Sequence, residues 1–345
     1  MTLRDNPLYT ADLQKALAAN DLSALSGRAV LITGATGLIG STLIDLLLEM
    51  NKSAGAGIRV YAAGRSEEKI LKRFGEDPLL TPVTYNALEP LDFDFAADDI
   101  IHTAGNASPE AYVRDPVGTM MGNIRGIQEL LEYGLRCGAE KTVYISSSEV
   151  YGTGGTGAAF TEEQYGYVDI LHPRSSYPMG KRAAETLCIC YAKQYGSRVS
   201  IARPGHIYGP TASTRDRRVS SAFAWQAARG EALELKSAGT QMRSYCYCVD
   251  CASAVLQILL RGESGAAYNI SNPDSVITIR RMAELLAQAG GVALTGHTPT
   301  EEEKAAFNPM DNSSLNSDKL LALGWRGVFS AEEGLRHTVE ILQTL

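Results

Sequence analysis

The stretch Ala29-Val30-Leu31-Ile32-Thr33-Gly34-Ala35-Thr36-Gly37-Leu38-Ile39-Gly40 decides the fold. Its first five residues are aliphatic or β-branched and suit a strand buried in a sheet. Three glycines spaced three apart follow, and Ser41 to Met50 is a Leu-rich helical segment. Strand, glycine turn and helix in this order form a dinucleotide-binding fingerprint. The glycines allow a tight turn and close backbone approach, and the helix N-terminus attracts a pyrophosphate. Gly34, Thr36, Gly37, Leu38, Ile39 and Gly40 are therefore candidate cofactor-binding residues.

Outward from this turn, strand-like runs recur at 58–63, 82–85, 99–102 and 142–145, and a long helical segment spans Pro116 to Cys137. Alternation of this kind predicts an α/β protein with a parallel, doubly wound sheet. The second run ends in Gly64-Arg65-Ser66, without the carboxylate that would hold ribose hydroxyls in an NAD site. Arg65 is available for a 2′-phosphate, which points to NADP. The run ending at His102 continues into Thr103-Ala104-Gly105-Asn106-Ala107-Ser108-Pro109. Small residues there let the backbone approach a cofactor, and Ala104 joins the cofactor set. His102 is read as structural.

A second constellation begins where the run Thr142-Val143-Tyr144-Ile145 ends. Ser146-Ser147-Ser148-Glu149 stands at that strand end, where open α/β sheets bind ligands. Tyr177 and Lys181 follow, four apart on a helix expected over 177–195, and so share a face. An ammonium beside a phenol favours the phenolate, so Lys181 is expected to lower the pKa of Tyr177 and make it a proton acceptor. Glycine-rich residues 152–157 form a candidate lid.

Composition bounds the partners. The 345 residues are 45% hydrophobic and 21% charged, with a net charge of −7. That balance argues against a nucleic-acid groove or an anionic membrane as the main partner. No apolar run reaches the length of a membrane span, and Met1 to Asn20 lacks a signal-peptide core. The six cysteines show no paired Cys-x-x-Cys spacing and read as reduced core thiols of a cytoplasmic protein without a metal site. Residues 7–26 read as an added helix carrying Leu8, Leu13, Leu17, Leu22 and Leu25. The expected organisation is an N-terminal helical extension (1–26), a nucleotide-binding Rossmann domain (27–204) and a smaller α/β substrate domain (205–345) with segments returning to the first. In that last part, helices are expected over 221–229, 251–261 and 279–289, and a strand over 267–270.

The glycine turn, the serine-rich strand end followed by Val150-Tyr151-Gly152, and Tyr-x-x-x-Lys together resemble the extended short-chain dehydrogenase/reductase family, from about Gly27 to the end. In that family the tyrosine is the acid/base, the lysine binds the nicotinamide ribose, and a hydroxyl at the strand end holds the reacting oxygen. The resemblance assigns these roles to Tyr177, Lys181 and Ser147. Ser147-Ser148-Glu149, Pro173-Arg174-Ser175-Ser176-Tyr177, Arg218-Val219 and Gln241-Met242-Arg243-Ser244-Tyr245 look like the UDP-glucuronic acid decarboxylases of that family. The resemblance implies a nucleoside-diphosphate-sugar substrate, NAD or NADP as cofactor, and a homodimer built on the segments 116–137 and 177–195. It makes Ser108, Arg174, His206, Arg218 and Arg243 substrate contacts, with Arg243 on the diphosphate. Tyr177 would take the C4 hydroxyl proton while the C4 hydride leaves. The C4 ketone would then labilise C5 or its carboxylate, with Ser148 and Glu149 moving protons there.

The chain departs from that pattern at three places. Asn312 stands where decarboxylases carry an arginine for the substrate carboxylate, His206 stands where many relatives have asparagine, and Gly64-Arg65 suits NADP. These departures open a second reading, an NADPH-dependent reductase of a nucleotide-linked keto sugar or polyol. A third is a non-catalytic, cofactor-sensing protein on the same fold.

Overall fold

The computed structural model describes residues 3–105, 107, 109–154, 157–296 and 310–345. Its first helix, α1, spans Pro7–Ala19. The N-terminal half then alternates strands and helices: β1 (Ala29–Thr33), α2 (Leu38–Ala54), β2 (Arg59–Gly64), α3 (Glu67–Phe74), β3 (Leu80–Thr84), β4 (Asp99–His102), α4 (Pro109–Arg114), α5 (Pro116–Cys137), β5 (Lys141–Ile145), α6 (Ser176–Tyr195) and β6 (Val199–Pro204). The remainder contributes β7 (His206–Tyr208), α7 (Val219–Ala228), β8 (Leu233–Leu235), β9 (Met242–Tyr247), α8 (Cys248–Arg261), β10 (Ala267–Ile270), β11 (Val276–Thr278), α9 (Ile279–Gly290), β12 (Leu294–Gly296), β13 (Asn312–Ser313) and a C-terminal helix, Ala331–Leu342.

Seven strands form one parallel sheet in the order β3-β2-β1-β4-β5-β6-β10. The order reverses between β1 and β4, and in such sheets the crevice beyond the strand ends at that reversal holds the ligand. Every residue of β1, β5 and β6 is buried, as expected for strands covered on both faces. One face packs Val30, Ile32, Val143 and Ile145 against Leu43, Leu47, Val255 and Leu259 of α2 and α8. The other face packs Leu31 and Ile100 against Leu130 and Tyr133 of α5. Helices α5 and α6 pack side by side around Ile127, Leu131, Ala184 and Cys188.

A second, smaller sheet centres on β9, which pairs antiparallel with β11 and parallel with β7 and β13. Strand β10 and helix α8 come from the C-terminal half but complete the first sheet and cover it.

The expected N-terminal helix over 7–26 is shorter than its leucine spacing suggests. It stops at Ala19, where Asn20 turns extended and its side-chain amide donates to the Ala16 and Arg326 carbonyls. Asp21 then accepts from Ser23, and Ser23–Leu25 forms a separate 3-10 turn. Asn, Asp and Ser compete for the backbone here, which ends the helix early. Helix α1 is anchored at both ends of the chain. The Tyr9 hydroxyl donates to Asp45 of α2 at 2.8 Å, and Asp12 accepts from the Tyr247 hydroxyl and pairs with His337 Nδ1, each at 2.8 Å.

Candidate active site

The glycine turn is shaped by close approach. Gly34 has φ +73°, and a Cβ there would lie 2.7 Å from Thr103 Oγ1. A Cβ on Gly40 would lie 2.3 Å from the Gly34 carbonyl. Gly37 is different. It caps α2, and a Cβ there would meet only the Gly34 carbonyl. No side chain caps this helix and its first turn carries no acidic residue. The positive end of α2 is thus open to an anion, and the residues present fit a dinucleotide pyrophosphate. Thr36 is exposed at the tip, while Leu38 and Ile39 are half-buried and pack on the core. Ala104 follows Thr103, whose hydroxyl donates to the Thr33 carbonyl at 2.6 Å. Arg65 is exposed just beyond β2, before Ser66 caps α3.

The end of β5 carries the second group. Ser147 caps a 3-10 turn over Ser148–Tyr151, its hydroxyl accepting from the Glu149 amide at 3.2 Å. Tyr177 and Lys181 lie one turn apart on α6, both buried. Lys181 Nζ donates to the Ile145 carbonyl at 2.7 Å and lies 6.0 Å from the Tyr177 ring centroid.

The electrostatics reverse the expected effect on the tyrosine. Burial pushes the Tyr177 phenol up to about 12. The Ser147 hydroxyl works the other way, Glu149 adds to the rise, and Arg218 opposes it. Burial brings Lys181 down to about 7, against the pull of Glu185 and Cys188. The helical spacing does put both groups on one face, but desolvation governs each of them, and the ammonium is aimed at a backbone carbonyl.

Around Tyr177 the sequence-predicted polar residues converge. Arg174, in the 3-10 turn Pro173–Ser175 that leads into α6, faces Glu149 at 3.5 Å. Its guanidinium lies 5.9 Å from the Tyr112 ring, which stacks on Tyr177 at 5.1 Å. Arg218 is clamped by Asp216, which it holds below the usual carboxylate range. Arg243 is buried and donates to its neighbour's carbonyl, Met242 O, at 2.8 Å. His206 lies against Tyr245, ring centroids 5.7 Å apart. Burial, with Arg243 and Arg218 nearby, drives its imidazole down to about 3. His206 is therefore neutral at pH 7, and its Nδ1 has no partner among the described residues. Ser108 lies outside the described residues.

Sequence reading did not single out Tyr112, which has no motif spacing to reveal it. It also missed a buried network behind the site. Arg203 donates twice to Glu185, at 3.0 and 2.7 Å, and also to the Tyr151 hydroxyl, the Glu162 carbonyl and the Tyr165 hydroxyl. This network pins the segment after the candidate lid. Within the lid itself, Thr153 bridges to Tyr167, and Gly155 and Thr156 lie outside the described residues. Asn312 donates to the Gly157 carbonyl at 2.7 Å and accepts from Ser314, so its amide is engaged with backbone.

Residues 30–271 match the NAD dependent epimerase/dehydratase family. The chain belongs to that family. Among curated relatives of this epimerase/dehydratase, UDP-glucuronic acid decarboxylase 6 of Arabidopsis thaliana is 33% identical over 90% of this chain and 87% of its own. The UDP-glucuronic acid decarboxylase 1 of Xenopus tropicalis is 32% identical over 92% and 73%. Among solved structures, the dTDP-glucose 4,6-dehydratase DesIV from Streptomyces venezuelae, with NAD and TYD bound, superposes with a TM-score of 0.76 at 22% identity, covering 92% of this chain and 97% of that one. The family match and this superposition agree with the expected doubly wound fold. Among the described residues, no helix is long and apolar enough to cross a membrane, and no cluster of His, Cys, Asp or Glu could hold a metal ion.

Proposed function

We propose that this chain is an NAD(P)-dependent enzyme that modifies nucleoside-diphosphate sugars through a transient C4 ketone, in the manner of a decarboxylase. The observation that carries the proposal is the meeting of a buried phenol, a strand-end hydroxyl and a carboxylate. Glu149 and Arg218 both act on Tyr177, while Ser147 eases its ionisation.

Ser147 holds the reacting C4 oxygen and eases the ionisation of Tyr177, which as phenolate accepts the C4 proton and later gives it back. A bound nicotinamide would accept and return the hydride. Lys181 holds the nicotinamide ribose. Glu149, held by Arg174, handles the proton at C5, with Ser148 beside it. Arg243 and Arg218 suit a diphosphate because a guanidinium forks onto phosphate oxygens. Neutral His206 adds a hydrogen bond without adding charge. In this reading residues 27–204 bind the nucleotide cofactor and 205–345 the sugar nucleotide. Dimerisation uses α5 and α6, where Leu135, Ile189 and Tyr195 are exposed apolar positions, and the enzyme is cytoplasmic.

Incubation with UDP-glucuronic acid tests the reading. The expected result is CO2 release and a UDP-pentose, slowed by about 10²–10⁴ in Tyr177→Phe. No turnover of any nucleotide-linked sugar by protein that still binds nucleotide would favour the cofactor-sensing alternative.

A second reading draws support from Arg65 and from the engagement of Asn312 with backbone. It makes the protein an NADPH-dependent reductase of a nucleotide-linked keto sugar. Mass spectrometry of the co-purifying nucleotide separates the two. Retained NAD supports the closed oxidation and reduction cycle, whereas selective uptake of NADPH supports the reductase.

A further inference from the structure

We infer that Tyr144 is a positioning residue for Lys181, its aromatic face fixing the place and the charge of that ammonium. The inference rests on the role given to Lys181 above. Tyr144 sits one residue before the end of β5, directly ahead of the carbonyl that Lys181 uses. Lys181 Nζ lies 4.7 Å from the Tyr144 ring centroid, closer than its 6.0 Å to Tyr177. Lys181 is 5% exposed, so water does little to solvate the charge. In its place stand the Ile145 carbonyl and the Tyr144 face. A desolvated cation gains most from such a face.

The ring itself is clamped. His102 of β4 stacks on it, with centroids 5.8 Å apart and planes at 27°. The Tyr144 hydroxyl donates to Asn123 Oδ1 of α5 at 3.4 Å, and the Asn123 amide donates to the Thr119 carbonyl. The other groups around Lys181 offer less. Glu185 of the same helix is engaged by Arg203. Cys188, also on α6, is a buried thiol pushed upward. Tyr177 stays protonated, and His102 is held neutral by burial and by Lys181 itself. Burial lowers Lys181 to about 7, so small changes in its surroundings alter its charge at neutral pH.

The test follows Lys181 directly. In nucleotide-free protein carrying 15N-lysine, the Lys181 ammonium is titrated by NMR, with Lys181→Met for assignment, and NAD affinity is measured over the same pH range. In Tyr144→Leu the Lys181 pKa is expected to fall by about one unit and NAD affinity at pH 7 by roughly fivefold, recovering at lower pH. Tyr144→Phe keeps the aromatic face and should match the parent in both. Tyr144→Met, of similar bulk and read beside its thermal midpoint, covers the case in which the leucine variant folds poorly, and should follow leucine. An unmoved titration in the leucine and methionine variants overturns the inference. So does a shift in Tyr144→Phe as large as in leucine, which would assign the effect to the hydroxyl. The titration stands whether or not the chain turns over a sugar nucleotide, so a failed activity assay is a separate result.

Discussion

The Arg174 guanidinium forks onto the Glu149 carboxylate, with Nη1 and Nη2 each 3.5 Å from a carboxylate oxygen. Both side chains keep partial contact with solvent, 43% and 28% exposed, so the pair contributes little to folding. Its value lies in holding the carboxylate in place. Arg174→Ala is expected to lower kcat/KM by about 10–100-fold, the range for a hydrogen bond to a charged group, while changing stability by less than about 0.5 kcal/mol. Steady-state kinetics beside urea unfolding would check this. A large loss of stability would contradict it.

Tyr177→Phe should cost about 10²–10⁴ in kcat and leave nucleotide affinity intact. Ser147 works against the raised pKa of the phenol. Ser147→Ala should therefore move the rising limb of the pH–rate profile to higher pH, as well as slow the reaction. A profile that only scales down would remove Ser147 from the control of that proton.

Arg203 and Glu185 form an ion pair with both side chains buried, 2% and 8% exposed. Arg203→Ala leaves a buried carboxylate unpaired and is expected to cost about 3–5 kcal/mol in chemical unfolding. The double change Arg203→Met with Glu185→Leu should recover part of that loss. It cannot recover all of it, because the Glu162 carbonyl and Tyr165 hydroxyl also lose a donor.

Two buried histidines contribute to the acid response. His102 and His206 are both lowered to about 3 by burial. Their folded pKa lies below the unfolded value of about 6.5, so the unfolded chain binds protons first. The stability they allow is complete above pH 6.5 and is lost as pH falls from there toward 3. His206→Asn should flatten that slope between pH 6.5 and 4, as measured by denaturant midpoints at each pH. An unchanged slope would mean that the imidazole reaches water.

Arg65 is exposed beyond β2. If it receives a 2′-phosphate, Arg65→Ala lowers NADPH affinity by roughly tenfold, the value of one charge-assisted hydrogen bond, with NADH affinity unchanged. Equal losses for both nucleotides would make Arg65 an adenine neighbour instead.

Local signals carried most of the fold. The run Ala29 to Gly40 read directly as strand, turn and helix because its neighbours in sequence are its neighbours in space. The spacing of Tyr177 and Lys181 likewise placed them on one helical face. The error at Tyr177 had a physical source, because four-residue spacing reports proximity but says nothing of burial, and burial governs that phenol. Long-range pairs left no trace in the sequence. Asp12 and His337 meet from opposite ends of the chain, and Tyr112 reaches Tyr177 by a fold that no spacing encodes. Glu185 and Arg203 were overlooked because a charged residue in a helix or strand reads as surface until its partner is known.

Strand β10 pairs with β6, although the two are separated by the whole β7–α8 segment. During synthesis, β6 is therefore made before its last neighbour exists. At ordinary elongation rates the gap between Pro204 and Ile270 lasts roughly 3–13 s. For that interval β6 is an uncovered sheet edge, and the face later shielded by α8 is bare. The nascent N-terminal half is thus a natural client for a chaperone, and a chain halted near residue 204 should be captured or aggregate while one halted beyond α9 should not.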